Sequence, residues 1–243
     1  MKNSQKIGLL GALMFIVSCS TKKDAFLNRN YNALTTQYNI LYNGGVAFNE
    51  GLQEINASYE DDFFELLPIE PLTFKNKKFR LPQLSSSSNK PGKGFQESPE
   101  QEESLTPFDI AEQKAVKAIQ KHSMNIYGKE RNKKIDDAYL LLGKSRYYTE
   151  RFIPAVDAYN YIIANYPNAS LLNETKIWRA KAHIRLENEE LAIETLEILL
   201  RKPDLSDLIR EEATTTLAIA YSKADTIELV RKYLWQATET SKN

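Results

Sequence analysis

The chain has one cysteine and two histidines among 243 residues. A thiol can serve as nucleophile, metal ligand or acyl acceptor, and each role asks for different neighbours. A nucleophile needs a base within hydrogen-bond reach, yet the candidate bases His122 and His183 lie 61 positions apart. One cysteine rules out a cysteine-rich zinc site, and two histidines rule out a histidine-rich metal site. The adjacent carboxylates Asp61-Asp62 and Asp136-Asp137 would need to face one another to share a proton, which neighbours on a helix do not. Asp136 and Asp137 read instead as a helix start, where negative charge meets unpaired N–H groups. The nine glycines include neither common phosphate-loop spacing. Basic and acidic residues balance at 32 each, which argues against a surface built as a whole for nucleic acid. The expectation is a protein with no catalytic residues, no metal and no cofactor.

The remaining role for the thiol, acyl acceptor, fits its surroundings. Lys2 and Lys6 precede an apolar run, Ile7 to Val17, of 11 residues. That length suits a signal-peptide core and is too short to span a bilayer, which takes about 20 residues. Ile16-Val17-Ser18-Cys19 resembles the lipobox of bacterial lipoproteins. The resemblance implies cleavage after residue 18 and lipid on Cys19. Removing residues 1–18 takes away Lys2 and Lys6 and leaves 30 basic and 32 acidic residues, a net charge of −2. Two or more acyl chains give stable anchoring without a membrane-spanning helix. Ser20-Thr21-Lys22-Lys23 resembles an outer-membrane sorting context with no acidic export run, so the expected location is the outer membrane, facing the periplasm.

Six of the nine prolines lie between 68 and 107, with Ser85 to Ser88, Gly92, Gly94 and the acidic cluster Glu97 to Glu103. Such composition breaks helices and strands alike. It predicts a flexible insertion over 68–106, most mobile from 75 to 105. Phe63, Phe64, Leu66 and Leu67 before it are expected to pack back onto the helices. From Pro107 to the end the period is helical. Asp109 to Met124 reads as one helix, stopped at Asn125 to Gly128. Asp136 to Ala169 reads as two, about 138 to 149 and 153 to 165. Pro154 fits the first turn of the second, and Pro167 ends it.

That pair resembles the tetratricopeptide repeat, a 34-residue helix-turn-helix unit. Tyr139, Leu142, Gly143, Ala155, Tyr159 and Pro167 match its pattern, while Arg146 and Ile162 depart from it. Small residues such as Gly143 and Ala155 let antiparallel helices approach. A second copy runs from about Asn173 to Lys202, with Trp178, Ala180, Ala192, Leu196 and Leu199. A third starts near Glu211, with Leu217, Ala218, Tyr221, Leu234 and Ala237. A weak early copy, with Tyr31, Leu34, Thr35, Tyr38 and Ala47 at pattern positions, predicts a helix pair within 19–67. The expected fold is an all-α tetratricopeptide-repeat solenoid with a disordered insertion, its array covering 107–243. Stacking supplies the core that one unit cannot build. The likeness further implies a concave groove lined by the first helix of each pair. Groove positions would include Asp137, Lys144, Tyr148, Glu174, Lys181, Arg185 and Lys223, with Lys144 and Lys181 one repeat apart and placed to meet a carboxylate.

Longer stretches carry a second resemblance. Cys19-Ser-Thr-Lys-Lys-Asp, Phe26-Leu-Asn-Arg-Asn-Tyr31, Thr35-Thr-Gln-Tyr-Asn39, Tyr42-Asn-Gly44, the run Ala115 to Met124, Gly128 to Asn132, and Ile135 to Gly143 are similar to SprE/PorW-type lipoproteins of gliding motility and type IX secretion in Bacteroidetes. Members are usually longer, with more repeats. The resemblance implies a protein-binding assembly component at the periplasmic side of the outer membrane, with secretion or motility subunits as partners. Two other likenesses stay open: the outer-membrane-protein assembly factor BamD, and glycan-binding lipoproteins of the SusD type.

Overall fold

The computed structural model describes residues 21–60, 64, 70–72, 105–224 and 226–240. The signal segment, Cys19 and most of the expected insertion (73–104), together with Phe63, Leu66 and Leu67, lie outside these residues. Phe64, expected to pack back, is exposed.

The first element is one helical run. Helix α1 (Phe26–Leu34) continues through a π-helical stretch (Thr35–Leu41) into α2 (Tyr42–Ser58). Within residues 21–60 the chain forms this one run rather than the expected helix pair. Side chains bind its carbonyls from within: Asn32 Nδ2 donates to the Asn28 carbonyl (2.9 Å) and Thr36 Oγ1 to that of Asn32 (2.7 Å). The Tyr42 N–H reaches back to Gln37, a wider π-type turn that absorbs the mismatch without a stop.

Helix α1 is inverted relative to its apolar pattern. Asn28, Asn32 and Thr36 are buried, while Phe26, Leu27, Tyr31, Leu34, Tyr38 and Tyr42 are exposed. The buried side is held by polar bonds. Asn132 Nδ2 donates to Thr36 Oγ1 (3.0 Å) and to the His122 carbonyl (2.8 Å), and His122 Nδ1 lies 3.0 Å from Asn32 Oδ1.

Helix α3 (Pro107–His122) begins two residues before the expected Asp109. Thr106 and Asp109 form a reciprocal capping box, with Pro107 at the first turn. After α3 the chain makes a hairpin, β1 (Asn125–Ile126) with antiparallel β2 (Lys129–Glu130). Tyr127 and Gly128 both take positive φ, 53° and 73°, as a two-residue hairpin turn requires.

Three helix pairs follow: α4 (Ile135–Tyr148) with α5 (Phe152–Asn165), α6 (Leu172–Arg185) with α7 (Glu189–Leu200), and α8 (Asp207–Lys223) with α9 (Ile227–Thr240). Each helix from α2 to α9 packs on the next, and α4, α6 and α8 also adjoin one another. This is an all-α helical-repeat solenoid, with α2 and α3 as its leading antiparallel pair. Asp136 and Asp137 occupy the first turn of α4 behind Lys134, which holds the cap position without a side-chain bond, so they favour the helix dipole but do not cap. Between the helices of the first two pairs, Glu150 (φ 62°) and Glu187 (φ 57°) adopt left-handed backbone, and these turns are 37 residues apart.

The repeat positions read from the sequence pack as expected in most cases. Leu142, Gly143, Ala155, Tyr159, Ala180 and Ala192 are buried. Tyr139 is half-buried and stacks on Tyr161 with centroids 4.0 Å apart. Pro167 is exposed and follows the end of α5 at Asn165, so it stops the helix without packing. In the last pair Leu234 is 48% exposed. Leu229, Val230 and Tyr233 take the packing side instead, with Tyr233 stacked on Tyr221 at 5.4 Å.

Among the described residues, beside two small clusters around Ala118 and Leu142, two larger cores run through the array. One joins α2 to α6 through Phe48, Phe108, Tyr147, Tyr148, Tyr159 and Trp178. The other joins α6 to α9 through Ile177, Leu196, Leu199, Leu217 and Tyr221. Leu72, expected in the flexible insertion, belongs to the first core and is buried.

Candidate functional site: a charged groove on the first helices

Helix α6 sets the site. Trp178, Lys181 and Arg185 fall three and four positions apart, so they rise on one helical face. That face looks onto α4 and α8, which bring Lys144 and Tyr147 from one side and Glu212 from the other.

Trp178 is nearly buried, with its ring packed edge-on to Tyr147 at 5.4 Å between centroids. Two lysines straddle it: Lys181 Nζ stands 4.4 Å and Lys144 Nζ 5.0 Å from the ring centroid. A cation over the face of tryptophan is attracted by the ring quadrupole. Both ammonium groups are also paired. Lys144 bonds Glu174 on α6. Lys181 Nζ donates to Glu70 Oε1 at 2.6 Å and Glu212 Oε1 at 3.1 Å. Burial pulls the Lys181 pKa down, and the carboxylates of Glu70 and Glu212 more than reverse this, so it stands above the ordinary lysine value.

Glu70 comes from the segment before α3, outside the repeats. Its Oε2 accepts from the Tyr147 hydroxyl at 2.9 Å, and its main-chain carbonyl accepts from Arg185 Nη2 at 3.0 Å. Arg185 Nε in turn donates to Tyr147 Oη at 3.2 Å. Burial first, and then the Glu70 carboxylate, raise the Tyr147 pKa, so the phenol stays protonated and acts as a donor. Beside this cluster a cavity of about 510 Å³ remains, lined also by Ile184, Glu187, Ile219 and Lys223.

Of the groove residues read from the sequence, Lys144, Glu174, Lys181 and Arg185 converge here, and Lys223 lines the cavity. Tyr148 is buried, stacked on Phe108 at 4.9 Å, and belongs to the aromatic core beneath the groove rather than to its open surface. Asp137 pairs with Lys134 in the first turn of its own helix, at 3.1 Å. Lys144 and Lys181, read as placed to meet a carboxylate, each meet carboxylates of this chain. Glu70, Tyr147 and Glu212 were not foreseen as site residues. Glu70 lies 111 positions from Lys181, and no local pattern marks such a meeting.

The histidines stay apart. His122 bonds Asn32 in the seam under α1. His183 Nδ1 is buried with no hydrogen-bond partner among the described residues. Among those residues no group of three or more His, Cys, Asp or Glu is placed to hold a metal ion, and no helix is long and apolar enough to cross a membrane. No family model and no curated protein matches the chain.

Proposed function

We propose that this protein is a non-enzymatic, lipid-anchored assembly component of the type IX secretion and gliding machinery. In this reading Cys19 holds it on the outer membrane, its body faces the periplasm, and it binds protein partners through the face of α4, α6 and α8. The observation that carries the binding role is the groove itself. Charged side chains from three successive first helices converge around Trp178, and the groove recognises both a carboxylate and a main-chain carbonyl of one residue, Glu70, the chemistry of peptide binding. A glycan platform is less well supported, because Trp178 is buried and covered by two lysines rather than offered as an open stacking surface. The link to secretion and gliding rests on the resemblance of the stretches from Cys19 to Gly143.

The test is in-cell crosslinking followed by capture of the tagged protein and identification of what travels with it, with metabolic labelling by a palmitate analogue alongside. Translocon or motility subunits in the crosslinked fraction, and label that disappears in Cys19→Ala, are the expected results. Capture of outer-membrane-protein assembly subunits alone, or specific retention on oligosaccharide arrays with no protein partner, would reject the secretion reading.

A further inference from the structure

We propose that the cluster of Lys181, Arg185 and Tyr147 is a carboxylate-recognition site, that the Glu70-Pro71-Leu72 tract occupies it as an internal ligand, and that an acidic, extended segment of a partner binds by displacing this tract. The proposal deepens the partner-binding reading of this face and does not depend on which machine the partner belongs to.

Three observations carry it. The recognition is of the kind made to a peptide: Lys181 and Tyr147 take the two carboxylate oxygens of Glu70, and Arg185 takes its backbone carbonyl. A side chain and a main-chain group of one residue are read together by three donors. Next, the tract leaves a cavity of about 510 Å³ beside it, so the site holds more room than its occupant fills. Finally, the tract is anchored at its other end by a separable contact, since Leu72 is buried in the aromatic core. Among the described residues, release of the tract needs the Glu70 carboxylate, its main-chain carbonyl and the Leu72 side chain to let go.

The chemistry defines the ligand. One cation and a phenol hold the carboxylate, and a second cation holds the main-chain carbonyl beside it. Glu212, which also contacts Lys181, disfavours a second negative charge on that side. The fitting segment therefore carries one acidic residue flanked by proline or aliphatic residues, as this chain's own tract does. A tethered ligand competes at a high effective concentration, and the observed affinity for an outside segment falls in proportion to the fraction of sites left open.

The probe is a fluorescent peptide of residues 67–74, Leu-Pro-Ile-Glu-Pro-Leu-Thr-Phe, and a twin with glutamine in place of its glutamate. Anisotropy titrations use the purified full chain, its Glu70→Gln variant and its Leu72→Ala variant, each checked for helicity by circular dichroism. Leu72→Ala loosens the tract without altering the charged site, so it stands in if Glu70→Gln misfolds. The glutamate peptide is expected to bind the loosened chains at least tenfold tighter than wild type. The glutamine peptide is expected to lose at least tenfold on the same chains, as is the glutamate peptide when Lys181→Gln is added. Emission of Trp178, read in a Trp235→Phe background, should shift as peptide saturates wild type. Equal affinity for wild type and both loosened variants, equal affinity for the two peptides, or no binding to any chain would overturn the proposal and leave Glu70 as a fixed staple. None of these results bears on capture of secretion subunits.

Discussion

Gly143 shows how a single missing methyl group sets a helix contact. A Cβ there would stand 2.3 Å from Cε1 and 2.8 Å from Cδ1 of Tyr159, and Tyr159 is fully buried and has no room to retreat. Gly143→Ala is expected to destabilise by about 1–3 kcal/mol through overpacking, against the roughly 1 kcal/mol that alanine gains over glycine in a helix. Gly45 supplies the control, because nothing lies within 4 Å of its Cβ position, so Gly45→Ala is expected to stabilise by about 0.5–1 kcal/mol. Urea melts of the two variants should move in opposite directions. The histidines give a pH signature at the same scale. His122 is held below the ordinary imidazole pKa by burial and then by Lys117, and His183 by burial and then by Arg179. The unfolded chain thus binds protons that the folded chain refuses, so this contribution is complete above about pH 6.5 and is lost as pH falls through the folded values. Thermal melts at pH 7.5 and 5.5 should show lower stability in acid, and a His122→Gln/His183→Gln variant should flatten that difference.

At the scale of elements, the N-terminal run shows a polar seam prevailing over an apolar stripe. Tyr31, Leu34 and Tyr38 match repeat positions and would be expected inside, yet they are exposed. A stripe of apolar residues marks an amphipathic face but does not say which neighbour will cover it. Here the neighbouring surface offers Asn132 and His122, and the side of α1 that satisfies them is the one carrying Asn28, Asn32 and Thr36. A buried polar group left unpaired costs about 1–3 kcal/mol. Asn132 is buried and bonds Thr36, the His122 carbonyl and the Lys134 N–H. Asn132→Ala is therefore expected to cost about 2–4 kcal/mol, summed over the partners it strands. Hydrogen exchange should report the loss first in α1 and the π-helical stretch. Equal protection of α1 in wild type and variant would show that the seam does not hold the run.

The whole molecule behaves as a row of neighbours. Stability in such an array is a sum of unit and interface contributions, so the ends open before the middle. Helix α9 packs chiefly on α8, and its Leu234 and Trp235 are exposed. By contrast α4 and α5 lie between packed neighbours on both sides. Amides of α9 are expected to exchange faster than those of α5 at equal denaturant, by at least tenfold. Equal protection along the array would indicate one cooperative block instead.

Much of the repeat was legible in the sequence, because its signals are local. Gly143, Ala155, Ala180 and Ala192 announce close helix contacts by size alone, Pro154 and Pro167 mark a start and a stop, and helical spacing puts Trp178, Lys181 and Arg185 on one face. Paired helices whose first members start 37 and then 35 residues apart follow from those short-range rules. Three things did not follow. That residues 26–58 form one run, with a π-helical stretch where a helix pair was expected to break, was not signalled by local spacing. Which side of α1 turns inward was decided by what α3 and the hairpin present to it. The contents of the groove depended on a residue from a proline-rich stretch, Glu70, meeting Lys181 across 111 positions. Spacing determines which side chains share a face. Only the folded chain determines what that face meets, because a carboxylate's partner is chosen by proximity in space and by the cost of leaving a buried charge alone.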